Sequence, residues 1–218
     1  LMENTDITGY ESVWKRYFSL DTDYAALCGK ISRDGAVRKA VEMYPGIRLL
    51  RQEPWEALCS FILSQNNNIP RIKGIIERLC AAFGEPLGNG DYAFPSAERL
   101  AALSPEDFTG VRAGFRIRYL LDAAQKAAGG AIDLPALAHL PAGEARGQLM
   151  LIKGVGPKVA DCTLLYGCGH TQAFPVDVWV RRVLDELYPA GLPECLSGCE
   201  GIAQQYLFHW RRNAGRSE

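Results

Sequence analysis

Apolar residues recur every three to four positions through most of the chain, the period of helices with one buried face. Ala26, Leu27 and Ile31 fall on one face of a helix that Asp23 can N-cap, and Ala36, Val37, Ala40 and Val41 form a second stripe ended by Pro45-Gly46. Pro54 suits the first helical position of a segment carrying Trp55, Leu58, Cys59, Ile62 and Leu63. The pattern resumes over 71–83 with Ile72, Ile75, Ile76, Leu79 and Cys80, and Gly84 stops it. Short helices are expected after Ser96 and after Ser104-Pro105. A longer one is expected over 116–128, with Ile117, Leu120, Leu121 and Ala124 on one face and Gly129-Gly130 as its end. Residues 149–152, a Gly-Val-Gly turn and 157–166 read as helix–turn–helix, followed by helices over 178–188 and 202–212. The aromatic-rich stretch 10–24 fits neither period and is expected to be a short strand or a connecting arm. About ten helices with short polar connections and few alternating runs predict a mainly α fold, without internal repeats.

Composition narrows the class. At 48% hydrophobic and 22% charged residues, the 218-residue chain is neither disordered, collagen-like nor a coiled-coil rod. Its 24 Lys and Arg against 25 Asp and Glu leave a net charge of −1, which taken alone speaks against a nucleic-acid partner. Net charge does not locate charges, however. Residues 61–73 hold Arg71 and Lys73 without an acid, residues 110–118 hold Arg112, Arg116 and Arg118 without an acid, and Arg211, Arg212 and Arg216 lie near the C-terminus. Seven cysteines cannot all pair, which excludes a fully paired disulfide scaffold. Cys162 with Cys168, and Cys195 with Cys199, lack the spacing of a zinc knuckle, and there are three histidines, so no metal site is expected. No apolar run approaches the roughly 20 residues that span a bilayer. Residues 1–12 are polar and do not read as a signal peptide, so a cytoplasmic location is expected, or a nuclear one in a eukaryote.

The most informative stretch is Leu151-Ile152-Lys153-Gly154-Val155-Gly156-Pro157-Lys158-Val159-Ala160-Asp161. Gly154 and Gly156 flank Val155 in a tight turn, and Pro157 is pre-set for the first turn of the next helix. Such a turn aims several backbone N–H groups and the positive end of a helix outward, which suits one phosphate without reading a base. An ordinary αα-hairpin would share the two glycines; the wider run favours phosphate binding. Backbone amides attract a phosphate without formal charge, which answers part of the objection from net charge.

With these residues in view, the chain resembles the helix–hairpin–helix (HhH-GPD) DNA glycosylases, and among them the 8-oxoguanine DNA glycosylase/AP lyases. The likeness is carried by Gly46-Ile47-Arg48-Leu49-Leu50-Arg51-Gln52, Ser64-Gln65-Asn66-Asn67-Asn68-Ile69, Gly114-Phe115-Arg116-Ile117-Arg118-Tyr119, the run from Gly154 to Cys162, and Pro175-Val176-Asp177-Val178. The resemblance implies a two-lobed helical fold with at most a remnant of an N-terminal β-sheet domain. Residues 1–20 would be the end of that domain or an arm, 21–54 plus 141–218 a discontinuous lobe with the base pocket, and 55–140 a contiguous lobe, with the helical hairpin at about 149–166. It implies excision of 8-oxoguanine paired with cytosine from damaged double-stranded DNA by a monomeric enzyme, without a required cofactor. A structural monovalent cation at the hairpin turn is part of the same implication.

The resemblance also assigns roles. Lys158 matches the nucleophilic lysine. An amine must be neutral to attack, and the positive end of a helix disfavours the ammonium form. Asp177 matches the essential aspartate, and its place before a helix also suits an N-cap. Asn66 matches the residue inserted opposite the lesion and Phe115 the aromatic wedge, while Arg71 and Arg116 match the arginines that contact the orphaned cytosine. Asn67 and Asn68 are expected to hold the turn through backbone bonds. Gly154, Val155 and Gly156 would bind phosphate. Cys162 and Phe208 match the two faces of the base pocket, and Gln204 the reader of the base edge.

Three departures stand out. The chain starts near the end of the family's N-terminal domain. Trp179 stands where animal relatives carry a histidine near Asp177 and DNA phosphate. His209-Trp210-Arg211-Arg212 is bulkier and more basic than usual, so Trp210 or Arg211 would change the mouth of the pocket. The iron–sulfur cysteine quartet of related branches is absent. Two alternatives remain at this point: a glycosylase of the same fold for alkylated bases, which generally lacks a lysine at the hairpin position, and a DNA-binding module without catalysis.

Overall fold

The computed structural model describes residue 9, residues 13–88 and residues 90–214. Residues 1–8 and 10–12, at the start of the expected arm, and Arg216 lie outside the described residues. Those described contain eleven α-helices and one two-stranded hairpin, a mainly α fold as expected. The chain divides into two compact units, Leu1–Gln52 with Gly169–Glu218, and Glu53–Cys168.

The first unit opens with α1 (Lys15–Tyr17), a single helical turn, so the expected strand does not form among the described residues there. Trp14, Tyr17 and Phe18 pack on one another with ring centroids 5.1–6.0 Å apart, which accounts for the run of aromatics. Ser19 adopts a left-handed φ of 52°, its hydroxyl donating to the Leu49 carbonyl at 2.7 Å. The Arg51 amide donates to the Tyr17 carbonyl at 2.8 Å. Both ties fasten the turn to the extended segment that leaves this unit. α2 (Tyr24–Ile31) is capped by Asp23, which accepts from the Ala26 amide at 2.9 Å, and α3 (Gly35–Met43) is capped by Asp34.

In the second unit, α4 (Pro54–Ser64) buries Trp55, Ala57, Leu58, Cys59, Ile62 and Leu63. α5 (Ile69–Phe83) starts two residues before the expected 71, because Pro70 sits in its first turn and Asn68 caps it, accepting from the Arg71 amide at 3.0 Å. α5 stops at Gly84, where a Cβ would stand 1.9 Å from the Ala93 carbonyl oxygen. A hairpin of β1 (Pro86–Gly88) and β2 (Asp91–Tyr92) follows, exposed on both faces and therefore without an alternating pattern to announce it. α6 (Ala97–Ala101) packs on α7 (Ile117–Ala128), and a 3-10 turn over Pro105–Val111 leads between them. α8 (Ala142–Leu149) and α9 (Pro157–Tyr166) close the unit, with α9 against α4.

That packing corrects the expected lobe boundary. Residues 141–168, including the helical hairpin, belong with 53–140 and not with the discontinuous unit. The reason is the close contact of α9 with α4: a Cβ at Gly167 would stand 3.0 Å from the Pro54 Cα and 3.2 Å from the Ala57 Cβ.

The chain then returns to the first unit with α10 (Val178–Leu187) and α11 (Glu200–Ala214). α11 packs on α3 and α10 and buries Ile202, Ala203, Tyr206 and Leu207. The Tyr188 hydroxyl donates to Asp34 at 2.7 Å, so one carboxylate caps α3 and holds the segment after α10.

Candidate functional site

The first helix of the helical hairpin is α8, which ends at Leu149, the first residue of the expected 149–152; the rest of that stretch leads into the turn. The Ile152 amide donates to the Leu149 carbonyl and the Val155 amide to the Ile152 carbonyl, both at 3.1 Å. Gly154 has a left-handed φ of +76°, and a Cβ there would stand 2.4 Å from the Tyr119 ring. Asp122 of α7 anchors the turn by accepting from the Lys153 amide at 2.8 Å and from Lys126 Nζ at 2.5 Å. Burial pushes the Asp122 carboxyl up, but Lys126 and the Lys153 amide outweigh it and hold it below the ordinary range. Gly156 is extended, with nothing within 4 Å of where a Cβ would stand. The amides that open α9 have no carbonyl one turn back to bond, so the turn and helix end offer a concave set of donors for an anion.

Lys158 lies in the first turn of α9, half-buried, with Nζ 5.3 Å from the centre of the Phe61 ring. Phe61 in turn packs on Tyr166 at 5.4 Å. Cys162 is one turn further along α9 and buried. Asp161, also buried, accepts from Arg146 Nε of α8 at 2.7 Å and ties the two helices of the hairpin together. Its carboxyl is raised by burial, with Arg146 opposing the rise. An amine thus belongs to the first turn of a helix whose opening amides are left without helical partners.

The same unit carries the expected wedge. Asn66 is exposed and has a left-handed φ of 47°. Asn67 Nδ2 donates to the Leu63 carbonyl at 3.0 Å and its Oδ1 accepts from the Asn68 amide at 3.1 Å, so Asn67 and Asn68 hold the turn as expected. Phe115 is 43% exposed and lies edge-on to Tyr119 at 5.7 Å. Tyr119 therefore touches both Gly154 and Phe115, joining the hairpin turn to the wedge loop. Arg71 is exposed at the start of α5.

Arg116 is 3% exposed, and its guanidinium is held on the protein's own backbone. Nε donates to the Gln65 carbonyl at 2.8 Å, Nη2 to the Gln65 and Asn66 carbonyls, the latter at 2.9 Å, and Nη1 to the Ala113 carbonyl at 3.2 Å. The planar fork is what lets one side chain serve three carbonyls.

The remaining candidates belong to the other unit. Asp177 caps α10, its Oδ1 accepting from the Trp179 amide at 2.9 Å and the Val180 amide at 2.8 Å. Trp179 is half-buried with the Arg182 guanidinium 5.1 Å over its ring. Gln204, expected to read a base edge, is 4% exposed; its Nε2 donates to the Pro175 carbonyl at 3.1 Å and its Oε1 accepts from Gln205 Nε2. It braces the segment that leads into Asp177. Phe208 is half-buried one turn further along α11, with Arg212 5.9 Å over its ring. Arg211 pairs with Glu186 at 2.6 Å, which spends the charge expected to alter the pocket mouth.

Three residues of the second unit were not singled out from sequence: Phe61 beneath Lys158, Tyr119 between hairpin and wedge, and Asp122 beneath the turn. Only Asp122 carried a signal, the i,i+4 pair with Lys126.

Residues 59–192 match the HhH-GPD superfamily of base excision DNA repair proteins, and residues 2–58 match the N-terminal domain of 8-oxoguanine DNA glycosylases. The chain is 36% identical over 194 residues to the N-glycosylase/DNA lyase of Saccharomyces cerevisiae, covering 79% of this chain and 50% of that protein. The 8-oxoguanine glycosylase/lyase of Clostridium acetobutylicum, solved with double-stranded DNA containing cytosine opposite 8-oxoG, is 37% identical with a TM-score of 0.88, over 97% of this chain and 78% of that one. MBOgg1, solved with a low-affinity DNA ligand, is 41% identical with a TM-score of 0.87, over 97% of this chain and 78% of that one. The chain spans about half the length of the curated relatives it matches first. With the helical hairpin, its lysine and the match over 59–192 all on one stretch of sequence, the chain belongs to the HhH-GPD superfamily of base excision DNA repair proteins.

Proposed function

We propose that this chain removes 8-oxoguanine paired with cytosine from double-stranded DNA and then cleaves the abasic strand, as a bifunctional glycosylase/AP lyase. The observation that carries the reading is Lys158 in the first turn of α9, immediately past the open turn at Gly154 and Gly156. A phosphate held by those amides brings a nucleotide's sugar to the side of the amine. The names of the yeast and Clostridium relatives support the same reaction.

The amine of Lys158 bonds to C1′ of the deoxyribose as the bond from C1′ to the base breaks, and the base leaves with that electron pair and takes up a proton. The resulting amine adduct opens to a Schiff base, which acidifies the C2′ proton; its removal expels the 3′ phosphate and nicks the strand. The resemblance gives Asp177 the role of the essential carboxylate, and its cap on α10 fixes its direction. Asn66 fills the gap left by the extruded nucleotide, Phe115 wedges the stack, and Arg71 addresses the orphaned cytosine. The resemblance gives Cys162 and Phe208 the faces of the base and Gln204 its edge; within its own unit Gln204 donates to the Pro175 carbonyl. Trp179 would lie toward phosphate. No cofactor is required; carbonyls of the hairpin turn would hold a monovalent cation. The enzyme would act as a monomer wherever the chromosome is, in a nucleoid or a nucleus.

A panel of duplexes carrying one lesion against each of the four bases tests the reading. Release of 8-oxoguanine opposite cytosine with a coupled nick is expected. Release of an alkylated base without a nick, or binding without release, would replace this function by one of the two alternatives.

A further inference from the structure

We infer that Arg116 is a positioning residue that sets Asn66 in its outward, left-handed conformation before DNA arrives. The inference rests on the proposed base-flipping function for its kinetic consequence, but the geometry stands without it. Three carbonyls, at Gln65, Asn66 and Ala113, converge on one guanidinium from two loops about fifty residues apart in sequence. The side chain is buried, and among the described residues no carboxylate pairs with it. A buried cation whose hydrogen bonds all go to peptide carbonyls holds those dipoles firmly in place, because each one lost leaves charge uncompensated.

Two features show what the clamp is for. Asn66 has φ 47°, a conformation that L-residues adopt at a cost and that persists when the surroundings impose it. Its own carbonyl is one of the three that Arg116 grips, while its side chain is left exposed. The guanidinium also lies 4.5 Å over the Phe115 ring, so the same group supports the expected wedge and the expected insertion residue together. The bend at Asn66 and the loop carrying Phe115 are thereby a single piece, and the enzyme does not have to order them as it opens the duplex.

Hydrogen exchange of residues 64–68, followed without DNA, reads the clamp directly. Arg116→Ala is expected to speed exchange there by about tenfold or more, with little change in α9. In duplex DNA the variant should excise 8-oxoguanine about tenfold or more slowly, while borohydride trapping on a single-stranded abasic oligonucleotide, which needs no wedge, stays within about twofold of wild type. Guanidinium chloride at tens of millimolar should restore part of the duplex rate, with sodium chloride at equal ionic strength as control. Should Arg116→Ala melt too low to assay, Arg116→Lys serves instead: an ammonium carries its donors on one nitrogen and cannot span carbonyls that three separate guanidinium nitrogens reach, so the same faster exchange is expected. Unchanged exchange over 64–68 overturns the inference, as does a defect confined to the choice of opposite base. A wild-type chain that neither excises nor nicks would overturn the proposed function and leave the exchange result to decide the clamp.

Discussion

A methyl group at Gly154 would stand 2.4 Å from the Tyr119 ring on a backbone with φ +76°, whereas one at Gly156 would meet nothing within 4 Å on an extended backbone. The two glycines of one turn are thus present for different reasons, and their alanine variants should separate. Gly154→Ala is expected to destabilise the fold by about 1–3 kcal/mol, seen as a lower Tm. Gly156→Ala should change stability by less than about 0.5 kcal/mol yet weaken binding to an abasic-analogue duplex, because its Cβ occupies the approach to the amides. Equal losses of Tm in both would contradict this division. The same scale separates two functions of Asp177. Asp177→Asn keeps an acceptor for the Trp179 and Val180 amides, so its Tm should stay close to wild type while lyase activity falls; Asp177→Ala should lose both, with a stability cost of about 1 kcal/mol.

Elements were the most legible level in the sequence, and where they were misread the cause is local. The apolar stripes placed α4, α5, α7 and α10 because each buries one face. The helical hairpin was found from its glycines, but its first helix was placed too late, since Leu149 and Ile152 are buried on either side of the helix end and continue the apolar rhythm into the turn. The resemblance reads Arg116 as a base-contacting group, and nothing in the sequence marks the convergence of three carbonyls on it. The i,i+4 pair with Lys126 marks Asp122 but not its anchoring of the turn on α7, which makes a pH prediction. The Asp122 carboxyl is held below its ordinary value in the fold, so its contribution to stability is full above the unfolded value and is lost as pH falls through the folded one. The stability gap between wild type and Asp122→Asn should therefore be largest near neutrality and shrink as pH falls below the ordinary carboxylate range. A gap that widens in acid would show that another group holds the turn.

For the molecule as a whole, the net charge of −1 misdirects unless the charges are located. The exposed basic groups near the wedge and the amides of the hairpin lie in one compact unit, Glu53–Cys168, and a site built largely from amides releases few counterions. Binding to an abasic-analogue duplex should accordingly weaken with salt at a log–log slope of about −2 to −4, and a slope near −10 would indicate a far more basic footprint. Placing the hairpin with the wedge, and Asp177, Gln204 and Phe208 in the other unit, is what the sequence-based lobe boundary missed: residues 141–168 pack on α4, and no periodicity reports which neighbour a helix chooses. The central claim is that Lys158 is the nucleophile of a glycosylase/AP lyase. Borohydride reduction of the chain mixed with a duplex carrying 8-oxoguanine opposite cytosine tests it most directly. A covalent protein–DNA adduct with wild type that disappears in Lys158→Gln is the predicted result; an adduct that persists in Lys158→Gln, or no adduct with wild type, would contradict the account.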